Sequence, residues 1–254
     1  VNMLRVSNAS ASRIGKHLLS AGQLNAALGP LERAVMGAIQ TGDHRAAQSA
    51  LIDWSDALRL LNFPDNRRDW LKIGLANAQL LRIQGELTEA DRKTLEIIEK
   101  AKRRPHLRLV AECYQLRATV LVELARYQEA LIFLNKLDDI EKRHITPRLR
   151  GKQTETRALA LEHLGRFSEA IAEFESAESC FLSLDDDVSA AVVRLGRARV
   201  TRSQGDMDLA LELSASAGRS LGSAGNRVGV SDALFQLGEV ARIADDLDRA
   251  EHHY

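Results

Sequence analysis

A seven-residue phrase returns five times at intervals of 40 residues, and the interval never slips. It reads Gln84-Gly85-Glu86-Leu87-Thr88-Glu89-Ala90, then Leu124-Ala125-Arg126-Tyr127-Gln128-Glu129-Ala130, then Leu164-Gly165-Arg166-Phe167-Ser168-Glu169-Ala170. Gln204-Gly205-Asp206-Met207-Asp208-Leu209-Ala210 and Ala244-Asp245-Asp246-Leu247-Asp248-Arg249-Ala250 complete the series. Self-similarity at a fixed period of 20–50 residues marks a stack of supersecondary units, each burying its apolar face on its neighbours. Such a stack favours long binding surfaces over one enclosed active site.

Each phrase carries the chemistry of a helix–turn–helix joint. Gly85, Gly165 and Gly205 stand where a left-handed residue closes a helix. Asp206 and Asp246 suit the N-terminal end of the next helix, where a carboxylate meets free N–H groups. Ala90, Ala130, Ala170, Ala210 and Ala250 follow where two helices cross closely. Apolar residues recur at helical spacing between the joints, as in Leu116, Val120, Leu121 and Leu124. No segment alternates with a period of two, so an all-α fold is expected.

The spacing predicts helices over 9–21, 24–39, 43–62, 66–84, 87–103, 106–124, 127–144, 148–164, 167–183, 188–204, 207–222, 228–244 and 247–254. Pro64, Pro105 and Pro147 are expected to open hairpins, and Pro30 to kink or split the second helix. The basic clusters Lys102-Arg103-Arg104 and Lys142-Arg143-His144 read as helix C-termini, and Asp185-Asp186-Asp187 as a helix start. The turns at Gly22 and Gly42 are only 20 apart, so residues 1–64 read as an irregular helical stack or cap. Residues 65–254 read as the regular repeats, truncated in the last one.

The phrase resembles the joint of the tetratricopeptide (TPR) repeat. Twelve residues before each aligned alanine, where that pattern wants a small residue, stand Ala78, Ala118, Ala158, Ala198 and Gly238. Ala177 and Ala217 match a second small position and Phe174 an aromatic one. Other positions depart: Ile97 and Leu137 replace Ala, and Leu81, Leu121, Leu161, Thr201 and Ala241 replace an aromatic residue. The resemblance implies a right-handed superhelical solenoid of antiparallel helix pairs, in the long-helix form carried by large bacterial signalling proteins. There a serine/threonine kinase, a regulatory ATPase or a transcription-factor domain precedes the repeats.

The same resemblance implies a concave groove lined by the first helix of each repeat. Residues eight before the aligned alanine would line it: Arg82, Val122, Glu162, Arg202 and Arg242. So would those eleven before: Gln79, Thr119, Leu159, Arg199 and Glu239. Arg199, Arg202 and Arg242 could form a cationic segment suited to a carboxylate or acidic peptide, interrupted by Glu162 and Glu239, or the set could be internal salt bridges. The Lys and Asn pattern of the TPR peptide clamp is absent.

Chemistry is otherwise sparse. The sequence has no Gly-x-x-x-x-Gly-Lys-Ser/Thr loop, no kinase His-Arg-Asp or Asp-Phe-Gly element, no Gly-x-Ser-x-Gly elbow, no His-Glu-x-x-His and no Cys-x-x-Cys. No catalytic residue, cofactor or metal site is expected. Adjacent helical residues diverge by about 100°, so His252-His253 make no metal site. Cys113 and Cys180 read as buried, inert thiols in a reduced cytoplasmic setting. Trp54 and Trp70 read as core anchors. Lys+Arg and Asp+Glu balance at 35 each, which argues against a dedicated nucleic-acid binder. No apolar run approaches membrane-spanning length.

The expected function is a protein-interaction or regulatory module that holds a protein or peptide, or a neighbouring domain of its own chain. One alternative is a small-molecule inducer surface; another is the C-terminal part of a kinase. The chain reads as a piece of a longer protein. An apolar strip at Leu234, Leu237 and Val240 is expected to be partly uncovered, favouring end-to-end self-association.

Overall fold

The computed structural model describes residues 2–64, 67–102, 106–140, 142–246, 248 and 250–251. Among them run twelve α-helices: α1 (Asn2–Ser20), α2 (Leu24–Gln40), α3 (His44–Leu60), α4 (Arg68–Ile83), α5 (Leu87–Lys102), α6 (Leu107–Glu123), α7 (Tyr127–Asp138), α8 (Pro147–His163), α9 (Phe167–Leu182), α10 (Asp187–Ser203), α11 (Met207–Ser223) and α12 (Arg227–Ile243). Asp248, Ala250 and Glu251 are helical as well. No described residue is in a strand. Arg103, Arg104, Pro105, Leu247, Arg249, His252 and His253 lie outside the described residues, so the readings placed on them stand untouched.

The joints close as Schellman motifs. At the end of α8, Gly165 N–H donates to Glu162 O and Arg166 N–H to Leu161 O, both at 2.9 Å. Gly165 takes φ 73°, a conformation that costs glycine nothing because no Cβ meets the carbonyl. The same pair of bonds ends α10, through Gly205 and Asp206. Non-glycine residues take the left-handed position elsewhere: Asn62, Ala125, Asp185 and Asp245. At the next helix start, the Asp206 carboxylate accepts from Leu209 N–H (3.1 Å) and the Asp186 carboxylate from Ser189 N–H (3.1 Å).

Left-handed residues at 22, 42 and 62, and again at 165, 185, 205, 225 and 245, fall 20 apart. Twenty is therefore the length of one helix plus its turn, and 40 is a hairpin. Gly22 and Gly42 close their helices like the later joints, with Gln23 N–H on Leu18 O (2.8 Å) and Asp43 N–H on Ala38 O (2.9 Å). Between Asn62 and Gly85 the interval is 23.

Two expectations fail. Pro30 neither splits nor ends α2, which runs unbroken from Leu24 to Gln40; the ring itself is buried in the helix packing. The helix expected over 127–144 stops at Asp138, and Lys142–His144 form a separate 3₁₀ turn. Thr146 is forced into an extended conformation (ψ 152°) by the following Pro147, which occupies the first position of α8 while the Thr146 hydroxyl caps Leu149 N–H at 3.2 Å. The chain must leave α7 early to make that entry. The basic cluster at 142–144 is thus not the last turn of a long helix.

Contacts divide the chain into two compact units, Val1–Leu124 and Ala125–Tyr254. In the first, consecutive helices pack around Leu31, Trp54 and Leu58, each almost fully buried. Trp70 donates through Nε1 to Phe63 O at 3.0 Å and packs against this core. In the second, Phe174 and Phe181 fill the space between α8, α9 and α10, and Leu221 and Ala217 that between α10, α11 and α12. The small residues make these approaches feasible. Ala78, Ala118, Ala158 and Ala198 are buried, as are Ala90, Ala130, Ala170, Ala210 and Ala250. A Cβ built on Gly196 would lie 2.6 Å from Phe174 Cε1.

Candidate functional site

In the second unit the first helices of successive hairpins, α8, α10 and α12, lie side by side behind their partners. Their outward residues repeat along one face: Lys152, Glu155, Leu159 and Glu162 on α8; Val192, Arg199 and Arg202 on α10; Val228, Asp232, Phe235, Glu239 and Arg242 on α12. Steps of three and four residues keep such positions on one side of a helix.

Ion pairs tie the rows together. Glu162 accepts two bonds from Arg199, from Nε at 2.5 Å and Nη2 at 2.6 Å. The Glu162 carboxylate, hydrogen-bonded to it, holds the Arg199 guanidinium above its ordinary pKa against the opposing effect of burial, with help from the Asp232 charge. One repeat later the arrangement differs. Glu239 receives Arg242 Nε at 3.1 Å and Nη2 at 3.0 Å from its own helix, while Arg202 Nη1 stands 3.4 Å from Glu239 Oε2.

The first unit has its own ladder. Arg82 on α4 donates to Glu123 on α6 at 2.6 Å, and Lys72 on α4 donates to Glu32 on α2 at 2.5 Å. Thr119 donates to Gln115 O at 3.1 Å, and Gln79 is half-buried on α4. So the structure brings Glu162 to Arg199 and joins Arg202, Glu239 and Arg242. Gln79, Arg82 and Thr119 lie on α4 and α6 of the other unit.

Sequence reasoning overlooked Val192, Phe235 and Asp232. It stopped at the positions eight and eleven before the aligned alanine. The positions 15 and 18 before it, one and two turns further up the same face, would have found them. Phe235 is 54% exposed and Val192 41%. The expected strip on the other side of α12 is smaller than predicted. Leu234 is exposed and Leu237 half-buried, but Val240 is buried in the α12 packing.

The remaining candidates are structural. Cys113 is buried, and burial pushes its thiol well above its ordinary range. Cys180 departs from the expectation of a buried thiol: it is half-exposed, and its sulfur donates to Pro147 O at 3.3 Å. Asp186, in the acidic run, pairs with Arg148 at 2.5 Å besides capping α10. Arg117 and Asp91 form a buried pair between α5 and α6, Nε to Oδ1 at 2.7 Å. No group of three or more His, Cys, Asp or Glu among the described residues is placed to hold a metal ion. No described helix is long and apolar enough to cross a membrane. An open groove of about 310 Å³ lies on α3, lined by Arg45, Gln48, Ser49, Ile52 and Asp53.

Helix pairs of this length, joined by short turns and stacked on their neighbours, recur in solved structures. The chain superposes on a Rap protein complexed with competence and sporulation factor with a TM-score of 0.69, at 13% identity over 98% of this chain and 73% of that one. The chain has a tetratricopeptide-repeat fold. Aspartyl phosphate phosphatase F from Bacillus subtilis matches with a TM-score of 0.66 at 14% identity, covering 88% of this chain and 67% of that one. A tetratricopeptide repeat protein from Parabacteroides merdae matches with 0.58 at 14% identity, over 97% and 90%. No family model and no curated protein matches the sequence. Identities this low establish the TPR-type architecture and no activity.

Proposed function

We propose that this chain is an interaction and regulatory module that holds a peptide or protein segment against the outward face of α8, α10 and α12. The observation that carries this reading is that face itself. Exposed Val192, Phe235 and Val228 sit on it beside a row of charged residues, on helices fixed from behind by buried Phe174, Phe181 and Leu221. A rigid scaffold presenting exposed aromatic and aliphatic anchors among charges is suited to recognition by shape and charge. It needs no bond-making step.

One solved neighbour lends support: that Rap protein is complexed with competence and sporulation factor. A setting in bacterial signalling, a kinase or ATPase parent, a cytoplasmic location and a boundary near residue 65 between cap and repeats belong to the same proposal. The groove on α3 favours a second reading, a small-molecule site, because it unites a carboxylate, a guanidinium and an aliphatic side chain in about 310 Å³.

Photo-crosslinking residues placed at Val192, Phe235 or Leu211 test the first reading. Leu211, 38% exposed on α11, is the control on a second helix of a hairpin. Cross-links to one partner from 192 and 235 but not 211 are expected. Cross-links from 211 alone, or from none of the three, would overturn the reading.

A further inference from the structure

α12 carries, 40 residues on, the positions by which α10 receives the hairpin that follows it. On α10, Ala191 and Leu195 share a core with Ala217 and Leu221 of α11 and Ala233 of α12, and both are buried. Their counterparts on α12 are open: Ser231 is exposed, and Phe235 is 54% exposed where Leu195 is 6%. Leu234, beside them, is exposed as well. Arg242 shows the same change, its side chain 54% exposed against 15% for Arg202. The fold thus repeats on α12 the seat of a helix hairpin, and among the described residues nothing covers it.

The hairpin α1–α2 is shaped like the one that fills this seat on α10. It turns at left-handed Gly22 as α11–α12 turns at Gly225. Seven residues before each turn a glycine lets the two helices close on each other. A Cβ on Gly15 would lie 2.7 Å from Leu31 Cδ2, and one on Gly218 3.1 Å from Ala233 Cβ. In that common frame, two apolar side chains of α1–α2 are exposed at positions that α11–α12 uses to hold α10. Ile14, 46% exposed, stands eight residues before the turn, where Ala217 joins the core around Ala191 and Leu195. Met36, 39% exposed, stands fourteen after it, where Glu239 meets Arg202. Exposed apolar residues scattered singly are ordinary, but these two coincide with the contact positions of one interface.

We infer that the open face of α12 seats the α1–α2 hairpin of a second copy of this chain, with Ile14 and Met36 packed on Leu234, Phe235 and the stem of Arg242. Met36 in the place of Glu239 leaves no charge stranded, because Arg242 is already bonded to Glu239 on its own helix. The contact is heterologous: different surfaces of the two copies meet, and each copy has one seat and one plug. A second copy is the occupant because the complement stands on this same chain; pairing of two α12 helices would leave Ile14 and Met36 without a role. Phe235 also belongs to the outward face proposed above, so a bound segment and a second copy exclude each other at that side chain. Ile14 and Met36 belong to the self-contact alone.

Analytical ultracentrifugation of the 254-residue chain tests this. The wild type should associate as its concentration rises. Ile14→Asp spoils the plug and keeps the seat; Phe235→Asp spoils the seat and keeps the plug, with Leu234→Asp as a second seat variant. Each variant alone should associate on the order of thirtyfold more weakly, the loss of one buried anchor. All three side chains are exposed, so the melting temperatures of the monomers should stay at the wild-type value. Mixed one to one, the intact plug of F235D meets the intact seat of I14D, and a species of two chains and no more should form. A wild type that stays monomeric at every concentration, association of I14D as strong as wild type, or a mixture that stays monomeric would each overturn the inference. The first result would give the seat to another occupant, and the second would mean that α12 pairs with α12. Cross-links from Val192 to a peptide or protein should be the same in I14D as in the wild type, so the self-contact and the interaction reading fail separately.

Discussion

At the scale of single residues, backbone and packing constraints leave little latitude. Ala125 holds a left-handed φ of 58°, in the position that Gly165 and Gly205 occupy in their joints. The Cβ penalty there is about 1 kcal/mol. Ala125→Gly should therefore raise stability by up to about 1 kcal/mol in urea denaturation, less the entropy glycine gains in the unfolded chain. Gly196→Ala should do the opposite. Its Cβ would meet the fully buried Phe174 ring at 2.6 Å, and overpacking of that kind costs about 1–3 kcal/mol. The thiols should separate by reactivity: iodoacetamide should label Cys180 in the native protein and Cys113 only after unfolding. Small residues at 40-residue spacing were readable in the sequence because close helix crossings exclude large side chains. The uneven pairing of Glu239, hydrogen-bonded to Arg242 and only 3.4 Å from Arg202, was not, because it depends on side-chain geometry across two helices.

At the scale of helices, buried charge decides more than surface charge. The Arg117–Asp91 pair links α5 to α6 with side chains only 7% and 11% exposed. Arg117→Met should cost about 3–5 kcal/mol by stranding Asp91, and adding Asp91→Leu should recover most of it; chemical denaturation of the single and double variants reads both. The exposed clamps Arg126–Glu129 and Arg166–Glu169 repeat at the same spacing, but water screens both and they contribute little to stability. Glu173 on α9 behaves differently from its neighbours. Burial, opposed by Arg157 and aided by Asp138, raises its carboxyl above the ordinary value. A raised folded pKa means that its contribution is fully present below the unfolded pKa and fades as pH rises through the folded one. Glu173→Gln should therefore raise the melting temperature at neutral pH and lose that advantage in acid. The early end of α7 was hidden from sequence reading because apolar spacing continues through Ile140 and Ile145; both are buried, but in the turn rather than in the helix. What Pro147 demands of Thr146 outweighed that periodicity.

At the scale of the whole chain, the repeat period specified the architecture while leaving the choice of face open. A solenoid is stabilised by nearest-neighbour interfaces, so the phrase that sets the period carries packing rather than recognition. Within the second unit, amide exchange should be slowest in α9, α10 and α11, which are packed on both sides, and faster in α7 and α12. Residues facing outward leave no periodic trace of their own. Val192 and Arg199 on α10, and Asp232 and Phe235 on α12, differ from repeat to repeat, so only the helix geometry assembles them.

The left-handed turn residues are also seams. Because helices alternate in direction every 20 residues, removing or duplicating a stretch between seams 40 apart, such as Gly165 and Gly205, restores every neighbour to an equivalent neighbour. A stretch of 20 would instead set a first helix where a second belongs and turn its anchors inward. A chain built this way can lengthen or shorten during evolution only in whole hairpins, and each added hairpin extends the row of first helices by one.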